Sequence, residues 1–142
     1  MRILLDTNIW ISGLLWGGNP RKIIHLAENE TINLYTSLSL FEELEQTLNY
    51  PKLQLRLQKL GITVNYLLSE VRRINQFCQS LPLPPIPELR DPKDKIILET
   101  ALAVPVEAII SGDEDLLVLG EFQQIKILTA SDFLIRYGVE FD

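Results

Sequence analysis

The run Arg2-Ile3-Leu4-Leu5-Asp6-Thr7-Asn8 decides how this chain is read. A short β-prone stretch stops abruptly at three residues that favour turns and helix caps, so a strand ends on an acid. A second stretch repeats the arrangement: Val106 to Ile110 reads as a strand and gives way to Ser111-Gly112-Asp113.

Between and beyond these two, the pattern alternates. Trp10, Ile11, Leu14 and Leu15 form a short apolar segment, broken at Trp16-Gly17-Gly18. Asn19 is then expected to cap a helix with Pro20 at its first position. Ile32 to Thr36 reads as a second strand, and Ser37 or Ser39 caps a helix to about Leu48 with Leu40, Phe41, Leu44 and Leu48 on one stripe. Residues 52–60 fit strand alternation through Leu53, Leu55 and Leu57 and a helical face through Leu53, Leu57 and Leu60; we take them as helix. Asn65 to Gln79 is expected to be helical, burying Leu67, Leu68, Val71, Ile74 and Phe77 or Cys78. The proline-rich stretch Leu81 to Pro87 is an extended connector, and Asp91-Pro92 opens a helix through Leu102. A helical turn at Glu114 to Leu119, a last strand at Ile125 to Leu128 and a helix from Ser131 close the chain. Strands alternating with helices at these lengths predict an α/β fold with a largely parallel sheet, in a single domain spanning residues 1–142.

The chain has 142 residues, 46% of them apolar, which suffices for a core and excludes a disordered tail. No apolar run reaches the roughly 18 residues that cross a bilayer, and Asp6 falls where a signal peptide would stay apolar, so a cytoplasmic protein is expected. With His25 the only histidine and Cys78 the only cysteine, the chain has no internal disulfide, no nitrogen and sulfur zinc site and no material for a serine or cysteine triad. Nineteen acids against 13 bases give a net charge of −6, which argues against a passive nucleic-acid clamp. It is compatible with an enzyme that gathers acids around a metal ion.

In open parallel sheets, ligands bind outside the carboxyl ends of the strands. If the strands before Asp6 and Asp113 are neighbours at ~4.8 Å, both carboxylates enter one crevice. Asp94, in the opening turn of its helix, faces the same edge, and Glu43 is placed to reach it. Two ionised carboxylates ~5 Å apart repel by about 3 kcal/mol at an effective dielectric of ~20. A proton or a hard divalent cation offsets this, and oxygen ligands favour Mg²⁺ or Mn²⁺.

Four strings occur in order: Leu4-Leu5-Asp6-Thr7-Asn8, Ser37 to Glu43-Leu44, Arg90-Asp91-Pro92-Lys93-Asp94, and Ser111-Gly112-Asp113-Glu114-Asp115-Leu116-Leu117. Together they resemble a PIN domain, and specifically the bacterial subgroup of toxin components of toxin-antitoxin systems. The resemblance implies a three-layer α/β/α fold with a mainly parallel central sheet and a Mg²⁺- or Mn²⁺-dependent endoribonuclease leaving a 5′-phosphate and a 3′-hydroxyl. It places the family's acidic set on Asp6, Glu43, Asp94 and Asp113, with Asp115 a frequent fifth metal ligand; Asp91 matches a recurrent acid of the subgroup. Where the family's last block often has Thr, this chain has Ser111, which keeps the hydroxyl. Thr7, Asn8 and Ser111 are expected to orient ligands or waters, and Arg90, Lys93 and Lys95 to hold RNA phosphates. The resemblance also implies an antitoxin protein as partner and a homodimer, joined around Trp16 or the helices after residue 52.

Plainer readings stand beside these. Strand-end aspartates cap helices; Asp91 before Pro92 is a natural cap, and Asp115 suits the first turn of a helix. Lys52, Arg56 and Lys59 make either a phosphate-binding row or a solvated helix face. Trp10 is assigned to the core, Trp16 to the surface and His25 to local packing. A haloacid-dehalogenase-type phosphatase also begins with an acid after its first strand, but it wants a second Asp where this chain has Asn8. A catalytically silent binding module on the same fold is the alternative of a different class.

Overall fold

The computed structural model describes residues 1–86, 89 and 91–141, so Arg90, Pro87 and Glu88 lie outside the described residues. Chain order runs β1 (Arg2–Leu5), α1 (Thr7–Leu15), α2 (Gly18–Glu28), β2 (Asn33–Thr36), α3 (Leu38–Leu48), α4 (Pro51–Leu60) and α5 (Val64–Ile74). There follow β3 (Asn75–Phe77), α6 (Pro92–Ala103), β4 (Ala108–Ile110), α7 (Glu114–Leu117), β5 (Glu121–Phe122), β6 (Ile125–Leu128) and α8 (Ala130–Phe141).

The six strands form one sheet in the order β3-β2-β1-β4-β6-β5, parallel except for the β5–β6 hairpin. Alternation along the short strands gives each face its own core. Ile3, Leu5 and Ile110 point to the side packed by α1–α5 and α8, through Trp10, Leu15, Ile23, Leu48, Leu57, Leu68 and Phe133. Leu4, Ile109 and Ile127 point to the opposite side, covered by Ile97, Leu98 and Ala101 of α6 and Leu116 of α7. The result is the expected three-layer α/β/α arrangement. No helix among the described residues is long and apolar enough to cross a membrane.

The chain runs outward from β1 through β2 to β3 and then crosses back to lay β4 on the other side of β1, so the strand order reverses between β1 and β4. That is the place where a parallel sheet opens a crevice at its carboxyl edge. Register fixes what faces it: Leu5 pairs with Ile110, so Asp6 and Ser111 emerge side by side. The backbone continues the ladder there, with the Asp6 N–H donating to the Ile110 carbonyl at 2.9 Å.

Three expectations need correction. Helix α2 begins at Gly18 behind Gly17, not at Pro20 behind Asn19, because Gly17 at φ 96° makes the turn that a residue with a side chain would resist. This tight entry seats α2 on α1, where a Cβ on Gly13 would come within 2.6 Å of Ile24 Cδ1 and 3.1 Å of the Pro20 carbonyl carbon. Residues 75–77 leave the expected helix and pair in parallel with β2, exposing Phe77 and half-burying Cys78. Asn75 ends α5 by donating its side-chain amide to the Val71 carbonyl at 2.9 Å. The expected helical turn at 114–119 stops at Leu117, and Glu121–Phe122 forms an additional edge strand.

Candidate metal centre

The amino ends of three helices and one strand junction converge above the β1–β4 boundary. Asp6 caps α1, its Oδ1 accepting the Thr7 N–H at 2.7 Å. Asp91 caps α6 by accepting the Lys93 N–H at 3.0 Å, and Asp113 caps α7 by accepting the Asp115 N–H at 2.9 Å. Capping and site membership are thus compatible: in Asp91 and Asp113 the capping bond engages Oδ1 and leaves the second oxygen to other partners.

Asp6, Thr7, Asn8, Glu43, Asp91, Lys93, Asp94 and Asp113 all line one cleft of about 210 Å³. Ser111, fully buried, lies beneath it; its Oγ donates to Asp6 Oδ2 at 2.7 Å and accepts the Asp113 N–H at 3.0 Å. Glu43 reaches in from α3, where its Oε2 accepts the Thr7 hydroxyl at 3.0 Å and its Oε1 stands 3.9 Å from Lys93 Nζ. Asp115 joins at one side: carboxylate oxygens of Asp94, Asp113 and Asp115 all lie within 4.8 Å of one another. Lys95 is half-buried and does not line the cleft. Thr47 and Tyr50, at the end of α3 and just before α4, line it without having been singled out for it, and Lys52, of the row Lys52, Arg56 and Lys59, lines it too. Thr47 was legible from its i+4 spacing to Glu43; Tyr50 and Lys52 depend on where the α3–α4 turn folds back.

The acids make one another costly. Burial holds Asp6 above the ordinary carboxylate range, offset by the hydrogen bonds from Ser111 and Thr7 and raised further by Glu43 and Asp113. Asp94, only 3% exposed, is pushed up to about 7, first by burial, then by Asp113, Asp6 and Asp91. Its Oδ2 is buried with no hydrogen-bond partner among the described residues. A buried oxygen without a donor, beside two further carboxylates, fits a hard divalent cation, which takes oxygen ligands and removes the repulsion. Among the described residues, Lys52 and Lys93 are the cations lining the cleft; both are exposed, and Lys93 faces Glu43 at the rim.

Other candidates resolve without chemistry. Trp10 is 3% exposed in the core and Trp16 is on the surface, under the Arg56 guanidinium 5.4 Å from its ring. Arg56 also donates through Nε to the Leu15 carbonyl at 2.8 Å, so it is a structural strut and not a free phosphate ligand. Cys78, its thiol pKa raised by burial, donates to the Thr36 carbonyl at 3.4 Å. His25 is an exposed residue of the last turn of α2.

A parallel α/β sheet with an acidic cleft at its reversal point is compatible with a metal site. Residues 2–115 match the PIN domain, and the chain belongs to that family, a family of nucleases that are typically metal-dependent. No curated protein and no solved structure matches the chain.

Proposed function

We propose that this chain is a Mg²⁺- or Mn²⁺-dependent endoribonuclease, the cytoplasmic toxin of a toxin-antitoxin pair. The observation that carries the catalytic reading is the unpartnered Oδ2 of buried Asp94 among the carboxylates of Asp113 and Asp115. The toxin assignment is supported by the three strings Asp6-Thr7-Asn8, Asp91-Pro92-Lys93-Asp94 and Ser111-Gly112-Asp113-Glu114-Asp115-Leu116-Leu117. An antitoxin chain and a second copy are the proposed protein partners; exposed Trp16, Leu55, Leu60 and Tyr66 offer apolar surface for the dimer.

Asp94, Asp113 and Asp115 would hold the ion, with Asp6 and Glu43 completing the acidic wall. When bound, Mg²⁺ or Mn²⁺ supplies Lewis-acid activation of water and charge stabilisation at the phosphate, for in-line hydrolysis. The chain's own residues aim the acids. Ser111 and the Thr7 N–H fix both oxygens of Asp6, while the Thr7 hydroxyl and Lys93 orient Glu43. Asn8, exposed on the cleft wall, can hydrogen-bond water or ribose. Lys93 and Lys52 at the rim offset the acidity toward an approaching phosphate, and exposed Tyr50 offers a ring on which an unpaired base can stack.

The deciding assay is cleavage of RNA with Mn²⁺, with chelator, and with Asp94→Asn. Cutting that leaves 5′-phosphate ends and is lost in both controls supports the reading. RNA binding without cutting, together with a melting curve indifferent to Mn²⁺, would identify a silent binding module instead.

A further inference from the structure

Two buried hydroxyls join the helices that carry Glu43 and Asp94. Ser37 caps α3 and Thr100 lies within α6; both are buried, and their side-chain oxygens are 2.9 Å apart. Thr100 donates its proton to the Ile96 carbonyl at 2.9 Å, so Ser37 is the donor between them. Ser37 Oγ in turn accepts the Leu40 N–H at 3.4 Å. The pair is anchored to the sheet, because Cys78 donates its N–H to the Thr36 carbonyl at 2.8 Å and places its Sγ 3.9 Å from the Thr100 carbonyl oxygen.

Spacing along the two helices gives this bond leverage over the cleft. Glu43 is six residues beyond Ser37 and Asp94 six residues before Thr100, in each case about 9 Å along a helix axis. Halfway along, Leu40 and Ile97 belong to one apolar cluster. Apolar packing is non-directional and lets one helix slide or turn on another, whereas a hydrogen bond holds distance and angle. Among the described residues no other buried hydrogen bond joins α3 to α6, and the Glu43–Lys93 ion pair at the far end spans 3.9 Å with an exposed lysine. We propose that Ser37 and Thr100 are a positioning pair: their bond fixes α3 against α6 and thereby where Glu43 stands relative to Asp94 across the cleft, an assignment that rests on the metal-dependent reading above. A displacement of about 1 Å at a reacting centre costs on the order of 10²-fold in rate, so a tie this far from the acids matters to the chemistry.

The test is Thr100→Val, which keeps the shape and removes the hydroxyl, read by calorimetric titration with Mn²⁺ and by RNA cleavage at saturating Mn²⁺. The Mn²⁺ dissociation constant should rise about tenfold, as it does when a group that orients a ligand is lost. In cleavage, kcat should fall about tenfold or more. KM should change little, because Tyr50 and Lys52 lie outside α3 and α6. Thr100→Ser keeps the hydroxyl and should recover both values although it loses a buried methyl group. Ile23→Val, in the core on the other face of the sheet, should lower stability and move neither. Ser37→Ala removes the donor from the other side and should reproduce the loss, which keeps the test open should Thr100→Val fail to fold. Wild-type Mn²⁺ affinity and cleavage in Thr100→Val and Ser37→Ala, or equal impairment in Thr100→Ser or Ile23→Val, would overturn the pairing and leave the metal reading standing. A wild-type chain that neither binds Mn²⁺ nor cuts RNA would overturn the metal reading and the pairing with it.

Discussion

Ser111 Oγ and Asp6 Oδ2 are joined by a 2.7 Å hydrogen bond across the boundary between β1 and β4. Both are buried, and they meet because Leu5 and Ile110 are in register one residue earlier. Ser111→Ala removes the donor and leaves Asp6 more costly to ionise. The expected loss is about 1–3 kcal/mol in urea denaturation, with weaker Mn²⁺ binding at neutral pH, and Ser111→Thr should restore most of both.

Asp94 gives the metal-free protein an unusual pH response. In the fold it keeps its proton to about 7, whereas its ordinary value is 3.8. Between those values the native state binds more protons than the unfolded one, so stability falls as pH rises across that window and levels off above it. Asp6, also raised, acts in the same direction. Urea midpoints measured without metal should therefore decline from acid to neutral pH, and Asp94→Asn should flatten the decline.

A divalent ion should reverse that trend. Mn²⁺ at 100 times its dissociation constant adds about 2.7 kcal/mol if it binds only the native state. The gain should be larger above pH 7, where no proton on Asp94 has to be displaced, and calorimetry in buffers of different ionisation enthalpy should register proton release below it. Asp94→Asn should show no thermal stabilisation by Mn²⁺.

Tyr50 and Lys93 should separate from the acids in kinetics. Tyr50→Ala removes a stacking surface worth about 1–3 kcal/mol per base, so KM for RNA should rise about fivefold or more with kcat little changed. Lys93→Ala should raise KM and flatten its salt dependence. Steady-state cleavage of a defined oligonucleotide at two salt concentrations checks both.

Arg56→Ala is expected to behave in the opposite way. Its guanidinium lies over Trp16 and bonds the Leu15 carbonyl, so its loss should cost about 1–2 kcal/mol of stability and leave RNA cleavage unchanged. Lys52, four residues earlier on α4, lines the cleft, so Lys52→Ala should move KM. A row of bases at helical spacing thus divides between two jobs that spacing alone could not tell apart.

The errors of sequence reading have local causes. The apolar stripe of α5 continues to Phe77 and Cys78 at helical spacing, so the change to a strand at Asn75 is invisible until β2 is there to pair with it. The β5–β6 hairpin turns through Gln123 at φ 48° and Gln124 at φ 73°, positions usually marked by Asn or Gly. Without those residues the two-strand edge carries no signal.

The strand-then-acid runs, the helix caps and the alternation of elements were determined by the chain itself, because each depends on neighbours within a few residues. Asp6, Asp91, Asp94 and Asp113 were legible for that reason. Which acids share a cleft was decided by the tertiary structure. Only the β1–β4 register sets Asp6 beside Ser111, and only the packing of α6 on the sheet buries Asp94 with an oxygen that no group among the described residues satisfies. Burial and long-range pairing are properties of the assembled layers, and they bring Asp94, Asp113 and Asp115 together as a candidate metal centre beside Asp6.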